Sequence, residues 1–326
     1  MNKFRVFIPN KILGNAVDYL KQYVDVDYIP VEDMLSSKEF LAHVSQADGL
    51  MIPSRNKITK TVLEQAPHLK AVCNMAVGFD NLDLKALTDR GIYATNAPGV
   101  LTETTADLAF GLLLATARRI PEADEFVQQG QWLGWKPSML LGHEVHGQTL
   151  GIIGYGRIGR AIARRAVGFD MQVLYNDQVR NQEEEARYGT TFAERDELIK
   201  NSDFVLLQVP LTPETKGIIG AREFGLMKKN AIFINASRGQ VIDQNALTQA
   251  LAEEKIAAAG LDTYIDEPIK PNDPLVQMKN VVTLPHIGSA TLETRTAMES
   301  IAAKNMIQIF NGGIPDNLVN EKLRTK

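Results

Sequence analysis

The stretch TLGIIGYGRIGRAIARRA limits most strongly how this chain can fold. An apolar, strand-like run leads into Gly154, Gly156 and Gly159, and a helical pattern follows directly. In a G-x-G-x-x-G series the first glycine permits a tight turn, the second lets a pyrophosphate approach the backbone, and the third lets helix and strand pack closely. Between a strand and a helix, this motif predicts a βαβ unit that binds a dinucleotide; a purely structural glycine turn is the alternative.

Short apolar runs and amphipathic stretches alternate on both sides of this motif. From Gln148 onward there are six candidate strands, TLGIIGYG, MQVLYND, DFVLLQVP, NAIFINAS, IAAAGLDTY and NVVTLPH. An earlier series, up to about Asn96, includes FRVFIP, GLMIP and LKAVCNMA. Such alternation is typical of doubly wound parallel sheets. We therefore expect the α/β class.

Two longer helices are predicted outside these series. The stretch TETTADLAFGLLLATARRIPEADEFVQQGQW is expected to form one long helix that crosses between domains or packs against a partner chain. The stretch TLETRTAMESIAAKNMIQIFNGG predicts a last helix that returns to the first domain.

Composition narrows the classes of partner. The 326 residues are 44% hydrophobic and 23% charged, and the formal net charge is -4 without long basic blocks. This distribution disfavours binding to nucleic acid or to an anionic membrane surface, so a small molecule is the expected partner, with no metal.

The single cysteine, Cys73, lies in an apolar run and is expected to be a buried, unreactive thiol. The N-terminus predicts a strand and no signal peptide, so we expect a cytoplasmic protein.

An acid follows the second strand of the later series. Asp177 lies 23 positions after Gly154, close to where dinucleotide-binding domains carry a carboxylate for the adenosine ribose. A carboxylate would repel the extra phosphate of NADP, which favours NADH. Arg180 lies nearby and could stabilise that phosphate, and Asp177 could instead be a solvated turn residue.

Three reactive side chains follow three of the later strands. AIFINASRG carries Arg238, LDTYIDEP carries Glu267 and VVTLPH carries His286. Because the carboxyl ends of parallel strands meet at one edge, an arginine, a carboxylate and an imidazole should converge beside the glycine loop. Arginine can hold a carboxylate or keto oxygen, histidine can deliver a proton, and a carboxylate can orient the imidazole. Separately, each has a structural alternative as a helix-start ion pair, a surface acid or a strand cap.

The first series contributes one further candidate. NMAVGFDNLD follows a strand and turns near Val77 and Gly78, whose N–H groups could grip a carboxylate. A simple turn before a helix is the alternative.

With these motifs, the chain resembles the D-isomer-specific 2-hydroxyacid dehydrogenases over essentially its full length. That family carries, in this order, the glycine fingerprint, the arginine of SRG, an acid before proline and the histidine of PH-x-G. The resemblance implies a discontinuous substrate-binding domain of residues 1–100 and 288–326 and an NAD-binding domain of residues 101–287. Both domains are expected to be Rossmann-like, with the active site in the cleft and a homodimer formed through the nucleotide domain.

Within the family, GQWLGWKP, LTPETKGIIG and PHIGSAT look most like glyoxylate/hydroxypyruvate reductases and 2-ketogluconate reductases. The resemblance implies that Trp135 reaches the neighbouring subunit's active site, although packing of two tryptophans in an interface core is equally open. It implies a substrate contact at Ser289. The implied cofactor contacts, beyond the three glycines and Asp177, are Thr104, Tyr155, Arg157, Ile158, Val209, Pro210, Thr215, Ala236, Ser237, Asp262 and Gly288.

The expected activity is NAD(P)H-dependent reduction of a small 2-oxo acid, glyoxylate or hydroxypyruvate, with His286 as proton donor. Many relatives that use NADPH have a small residue and then arginine where this chain has Asp177 and Gln178, which supports NADH. The alternatives are reduction of 2-ketogluconate, another D-2-hydroxyacid dehydrogenase activity, and, from a different class, an NAD-sensing binding module without turnover.

Overall fold

The computed structural model describes residues 3–324, which divide into two compact units. The first unit is built from both ends of the chain, up to Leu101 and from Ser289 onward, and the second unit is Thr102–Gly288. The boundaries expected from the sequence, 101 and 287, each fall one residue earlier. Each unit is a parallel α/β structure with its own core.

The first unit contains a five-stranded parallel sheet in the order β2-β1-β3-β4-β5. Its strands are β1 (Arg5–Ile8), β2 (Asp25–Tyr28), β3 (Gly49–Ile52), β4 (Ala71–Asn74) and β5 (Tyr93–Thr95). Its helices are α1 (Ala16–Lys21), α2 (Ser37–Val44), α3 (Lys60–Glu64), α4 (Leu84–Asp89) and, near the end of the chain, α13 (Leu292–Phe310). Helix α13 packs against α1 and the sheet.

Burial explains which of these strands were visible in the sequence. All four residues of β3 and all four of β4 are buried, so both read as continuous apolar runs apart from Asn74. Strands β2 and β5 lie at the two edges; β2 is the half-exposed sequence DVDY and β5 has three residues. Neither edge strand carries enough apolar pattern to be predicted.

The second unit contains a seven-stranded parallel sheet in the order β12-β11-β10-β9-β6-β7-β8. Its strands are β6 (Thr149–Ile153), β7 (Gln172–Asn176), β8 (Thr191–Phe192), β9 (Phe204–Leu207), β10 (Ile232–Asn235), β11 (Ala258–Leu261) and β12 (Val281–Thr283). The six predicted strands are confirmed, and β8, with two residues, was not predicted. The strand order reverses between β6 and β9, which is where open α/β sheets bind ligands.

The helices of the second unit cover both faces of this sheet. They are α5 (Thr102–Ala117), α6 (Ile120–Gln128), α7 (Arg157–Val167), α8 (Gln182–Tyr188), α9 (Arg195–Asn201), α10 (Ala221–Leu226), α11 (Gln244–Ala252) and α12 (Pro274–Gln277). Apolar side chains form one core cluster on each face. Among residues 3–324, no helix is both long enough and apolar enough to cross a membrane.

The prediction of one long helix after residue 101 is wrong. Helix α5 ends at Ala117, Arg119 adopts a left-handed conformation with φ 53°, and Pro121 lies in the first turn of α6. Proline has no N–H to continue a helical ladder, and the Arg119 side chain pairs with Glu122 at 2.8 Å across the new start. The apolar pattern continues through this break, which is why the pattern alone suggested a single helix.

Candidate active site

The glycine loop between β6 and α7 has no room for side chains on its inner side. Gly154 has φ 98°, and a Cβ added there would overlap the carbonyl oxygen of Gln208. A Cβ on Gly159 would overlap the carbonyl oxygen of Gly154. Beside Gly156, the N-cap of α7, nothing lies within 4 Å of an added Cβ. The loop thus presents the start of a helix to open space, as a pyrophosphate requires.

Asp177 lies directly after β7 and beside this loop. Its carboxylate accepts the N–H of Tyr155 at 2.6 Å and the N–H of Gln178 at 2.7 Å. A pocket of about 420 Å³ opens there, lined by Tyr155, Arg160, Asp177, Val179, Arg180, Asn181 and Gln182. The acid predicted for the ribose therefore stands at a pocket next to the glycine loop.

Arg180, the nearby cation, is bound by a carboxylate of its own. Its Nε and Nη2 donate to the two oxygens of Glu185 at 2.8 and 2.7 Å. The hydroxyl of Tyr175 also donates to Glu185, at 2.6 Å. The hydrogen bonds from Arg180 and then Tyr175 lower the pKa of Glu185 to about 2, so this carboxylate stays ionised and compensates the charge of Arg180.

Two loops continue the edge of the sheet beyond the glycine loop. After β9, the Thr215 hydroxyl donates to the carbonyl oxygen of Pro210 at 2.6 Å, which closes the turn that begins at Val209. After β10, the Ser237 hydroxyl donates to Asn235 at 2.8 Å, beside Ala236. The predicted cofactor residues of these loops thus stand at one sheet edge, with both hydroxyls engaged inside their own turns.

The residues of this edge fit a dinucleotide. The side-chain oxygen Oε1 of Gln208 is buried without a hydrogen-bond partner in the part of the chain that the structure describes. The backbone carbonyl group of Gln208 abuts Gly154, so the residue that carries this unpaired acceptor lies next to the glycine loop. The open space at Gly156, the amides of Arg157 and Ile158 at the start of α7, and Asp177 would hold the pyrophosphate and the adenosine ribose.

His286 and Glu267 meet at the same edge. His286 follows β12 and Glu267 follows β11, and Nδ1 of His286 lies 2.7 Å from Oε2 of Glu267. Since an ionised carboxylate can only accept, Nδ1 carries the proton in this pair. Both side chains remain partly open to solvent, at 38% and 36% exposure. Nε2 of His286 has no partner among residues 3–324, so it is available to a substrate.

The backbone of His286 is held in an unusual conformation. Its φ is 54°, in the left-handed region that a residue with a Cβ seldom adopts. Asp262, 1% exposed, accepts the N–H of Ile287 at 2.8 Å and that of Gly288 at 2.9 Å. Burial raises the pKa of Asp262, against the hydrogen bond from Ile287 and the charge of His286. Asp262, predicted to contact the cofactor, thus fixes the turn that carries the histidine.

The pKa of Glu267 is lowered, in contrast to that of Asp262. Burial opposes its charge, but the hydrogen bond and charge of His286 and the N–H of Tyr264, which donates at 3.1 Å, outweigh burial and lower its pKa. The charge of Arg238 acts in the same direction. Glu267 therefore stays anionic at neutral pH and can support a positive imidazole.

Arg238 is brought to this pair by contact between two loops. A Cβ on Gly239 would overlap the backbone of Tyr264, so the loops after β10 and β11 approach as closely as backbones can. The side chain of Gln240 donates to the carbonyl oxygen of Ile265 at 2.7 Å and ties the loops together. Nη1 of Arg238 donates to the carbonyl oxygen of Ser237 at 2.8 Å.

In the first unit, the turn after β4 has an ordered backbone. The side chain of Asn96 donates to the carbonyl oxygen of Val77 at 2.8 Å, and that of Asn74 donates to the carbonyl oxygen of Gly78 at 2.8 Å. In the part of the chain that the structure describes, the N–H groups of Gly78 and Phe79 have no acceptor. Residues 77–79 thus keep donors available where the sequence predicted a carboxylate-binding turn.

The remaining candidates lie in different surroundings. Thr104 is in the first turn of α5, and Ser289 begins the last segment of the first unit, where its carbonyl oxygen accepts the N–H of Thr291 at 2.9 Å. Trp135 is 78% exposed and Trp132 is 57% exposed. Both tryptophans therefore lie at the surface of the second unit, as either reach into a neighbouring subunit or packing in an interface core requires.

Several residues of the site were missed in the sequence. Asn74 and Asn96 hold the turn at residues 77–79, Glu185 binds Arg180, and Gly239 lets two loops touch. A polar amide at the end of a fully apolar strand was a usable signal for Asn74. Asn96 and Glu185 act across 19 and five positions, which no local pattern encodes.

Comparison with known proteins gives matches to one family in sequence and in structure. Residues 110–288 match the family model described as D-isomer specific 2-hydroxyacid dehydrogenase, NAD binding domain. A glyoxylate reductase of Korarchaeum cryptofilum is 47% identical over 98% of this chain and 97% of its own length. A crystal structure of a Thermus thermophilus protein superposes with a TM-score of 0.91 at 39% identity and covers 97% of this chain and 99% of that chain.

A further solved structure was obtained with ligands. It is an NADPH-dependent glyoxylate/hydroxypyruvate reductase from Sinorhizobium meliloti in complex with NADP and malonate, with a TM-score of 0.85 and 31% identity. It covers 98% of this chain and 97% of that chain. These relatives, found by sequence and by structure, thus each cover at least 97% of this chain.

Proposed function

Because the chain belongs to the D-isomer-specific 2-hydroxyacid dehydrogenases, which are NAD(P)-dependent oxidoreductases, we propose that it reduces glyoxylate to glycolate, with hydroxypyruvate as a second substrate. The observation that carries the proposal is the 2.7 Å contact between His286 and Glu267 at the sheet edge that also bears the glycine loop. The name of the Korarchaeum relative supports glyoxylate within the 2-oxo acids.

The proton that completes the reduction would come from His286. Bound NAD(P)H supplies a hydride to the carbonyl carbon of the 2-oxo acid. Nδ1 of His286 is held by Glu267, so Nε2 is left to carry the proton that the developing alkoxide takes. Glu267, ionised at neutral pH, stabilises the imidazolium before that transfer. Asp262 fixes the turn in which this histidine stands.

Charge on the substrate would be met by two kinds of donor. Arg238 offers a permanently charged guanidinium for the carboxylate or the keto oxygen. The N–H groups of the turn formed by Val77, Gly78 and Phe79 would bind the carboxylate, with Ser289 as a further contact. Together these donors favour a small acid with adjacent carboxylate and carbonyl groups over a neutral aldehyde.

NADH is the proposed cofactor over NADPH. Asp177 stands at the pocket beside the glycine loop, where its charge opposes a phosphate on the ribose. Arg180, the cation that could attract that phosphate, is already bound by both oxygens of Glu185. The same edge would contact the cofactor through the loops at Val209–Thr215 and Ala236–Ser237, through Thr104, and through Asp262 and Gly288.

A homodimer formed through the second unit is also proposed. Helix α6 and residues 129–141 expose large apolar side chains, and Leu133 is 89% exposed. An apolar surface of this kind favours burial against a second copy, where Trp135 would reach the partner's active site. Light scattering after size exclusion should give about twice the 36.0 kDa chain mass, and Leu133→Lys should shift the protein toward a monomer.

The deciding experiment measures turnover. Loss of reduced-nicotinamide absorbance is followed with NADH and NADPH, each combined with glyoxylate, hydroxypyruvate, 2-ketogluconate, pyruvate and phenylpyruvate. Rapid NADH-linked reduction of glyoxylate or hydroxypyruvate would support the proposal. Preference for 2-ketogluconate would keep the chemistry and change the substrate. Binding of NADH without turnover on all five acids would contradict it and favour a dinucleotide sensor.

A further inference from the structure

The turn at residues 77–79 is held by side chains that lie elsewhere in the first unit. Asn74 is the last residue of β4 and is fully buried, and Asn96 follows β5 and is 8% exposed. Their side-chain nitrogens donate to the carbonyl oxygens of Gly78 and Val77, each at 2.8 Å. A carbonyl oxygen only accepts, so in both asparagines it is the NH₂ group that faces the turn.

These two hydrogen bonds fix the direction in which the neighbouring N–H groups point. The peptide bonds between residues 77 and 79 are trans, since the one cis bond of the described residues is at Glu267–Pro268. In a trans peptide, the carbonyl group of one residue and the N–H of the next point in opposite directions. With the oxygens of Val77 and Gly78 held toward the asparagines, the N–H groups of Gly78 and Phe79 must point away from them.

The asparagines are themselves fixed. Asn74 exchanges hydrogen bonds with Asn81 at 3.2 and 3.3 Å, and Asn81 donates to the carbonyl oxygen of Asn56 at 2.9 Å. The backbone of Asn96 is bonded in both directions to Asn317, near the end of the chain. The turn is therefore anchored to three other segments of the first unit, and its outward donors are set before any ligand arrives.

We propose that Asn74 and Asn96 are positioning residues for substrate recognition: they aim the N–H groups of Gly78 and Phe79 at the carboxylate of the 2-oxo acid. The proposal rests on the proposed function, because it takes the ligand of this turn to be the carboxylate of that substrate. Two adjacent N–H donors suit a carboxylate and give no advantage to a neutral aldehyde. Asn74 and Asn96 therefore contribute to selection of acids over aldehydes without touching the substrate.

Isosteric variants test this assignment. Asn74→Asp and Asn96→Asp replace the donor NH₂ by a carboxylate oxygen that repels the carbonyl group. Asn320→Asp is the matched control, because Asn320 is a buried asparagine of the same unit that donates to the carbonyl oxygen of Ile92, away from the turn. Asn→Leu versions, close in shape and uncharged, replace any Asp variant that does not accumulate as folded protein.

Three measurements distinguish a role in directing the N–H groups from a general loss of structure in the first unit. The first is kcat/KM for glyoxylate divided by kcat/KM for glyoxal, which lacks the carboxylate. The second is the Kd of oxamate for the protein–NADH complex, and the third is the Kd of NADH. In the variants at 74 and 96 we expect the ratio to fall and the oxamate Kd to rise by about 10-fold or more, the loss of one charge-assisted hydrogen bond. The Kd of NADH should not change.

The control decides between outcomes. An unchanged ratio and oxamate Kd in both variants, or an equal change in Asn320→Asp, would overturn the proposal. If the wild-type protein reduces none of the acids but binds oxamate, and Asn96→Asp weakens that binding, the proposed function fails and the positioning role stands. If the wild type binds no oxamate, the positioning role fails as well.

Discussion

The two units each place a loop at the end of a buried strand, and the two loops expose backbone donors by opposite means. In the second unit, the glycine loop after β6 clears space by lacking side chains. In the first unit, the turn after β4 keeps its side chains and is aimed by two asparagines. Residues 74–79 contain no ionisable side chain, whereas Asp177, Arg238, Glu267 and His286 all belong to the second unit. The proposed function thus assigns proton transfer to the second unit and binding of an anion by neutral donors to the first.

Removal of the imidazole gives the largest expected effect and tests the second unit. His286→Ala should lower kcat by about 10²–10⁴-fold, the usual contribution of a general acid, and leave the Kd of NADH unchanged. His146→Ala is the control, because His146 also pairs with a carboxylate of this unit, Asp170, at 2.9 Å. Full activity in His286→Ala, or equal loss in His146→Ala, would refute the division between the units.

A methyl group in the glycine loop tests how that loop exposes its donors. Gly154→Ala should weaken NADH binding about 10- to 100-fold, because φ 98° strains a residue with a Cβ by about 1–3 kcal/mol and the Cβ overlaps Gln208. Gly147→Ala carries similar strain, φ 71°, in open space before β6 and should affect stability alone. Titration of NADH fluorescence measures the Kd of NADH for both variants. An equal rise in Kd in the two variants would show that the space at the loop does not decide binding.

The proposed choice of NADH over NADPH is tested by removing charges beside that loop, and the expected effect is smaller. Asp177→Ser should raise the ratio of kcat/KM for NADPH to that for NADH about 10-fold, the size of one charge repulsion near the surface. Adding Glu185→Gln should raise it further, because Arg180 loses its bound carboxylate. The control is Glu183→Gln, which removes an equal charge from an exposed neighbour. A ratio that Asp177→Ser leaves unchanged would contradict the assignment.

The smallest expected effect concerns the strand beneath the turn at 77–79. Cys73 precedes Asn74 on β4, and burial raises the pKa of its thiol to about 12 against the weaker effect of Thr95. Ellman's reagent should therefore not react with the native protein at pH 8 and should detect one thiol after unfolding. Because the folded protein disfavours the thiolate, stability should fall as pH rises above about 9. Rapid labelling of Asn74→Asp would reveal a loosened strand and would count against a pure positioning effect in that variant.

The contrast between the two loops also explains what the sequence could predict. A glycine motif acts within six consecutive residues, and the buried strands around it are continuous apolar runs, so the second sheet was predictable except for the two-residue β8. The residues after β10, β11 and β12 were predictable as neighbours because parallel strands share an edge. The break at Arg119 was not, because the apolar pattern continues across it.

Positions that act at a distance were beyond the sequence. Asn96 contacts a carbonyl oxygen 19 positions earlier, and Asp262 reaches amides 25 and 26 positions later. Such contacts depend on how the chain returns to the sheet edge, and no periodicity records them. The structure adds what composition could not: which oxygens and N–H groups are already engaged and which remain for a ligand.

The chain contains two tryptophans, and both belong to the exposed segment around residue 133. Fluorescence excited selectively in tryptophan therefore originates from this one surface. The aromatic residues of the cores are tyrosine and phenylalanine alone. Emission from water-exposed indoles is already shifted to long wavelength in the native chain, so unfolding of either core would move it little. Assembly through this surface would shift the tryptophan emission to shorter wavelength. The emission wavelength therefore reports contact between subunits.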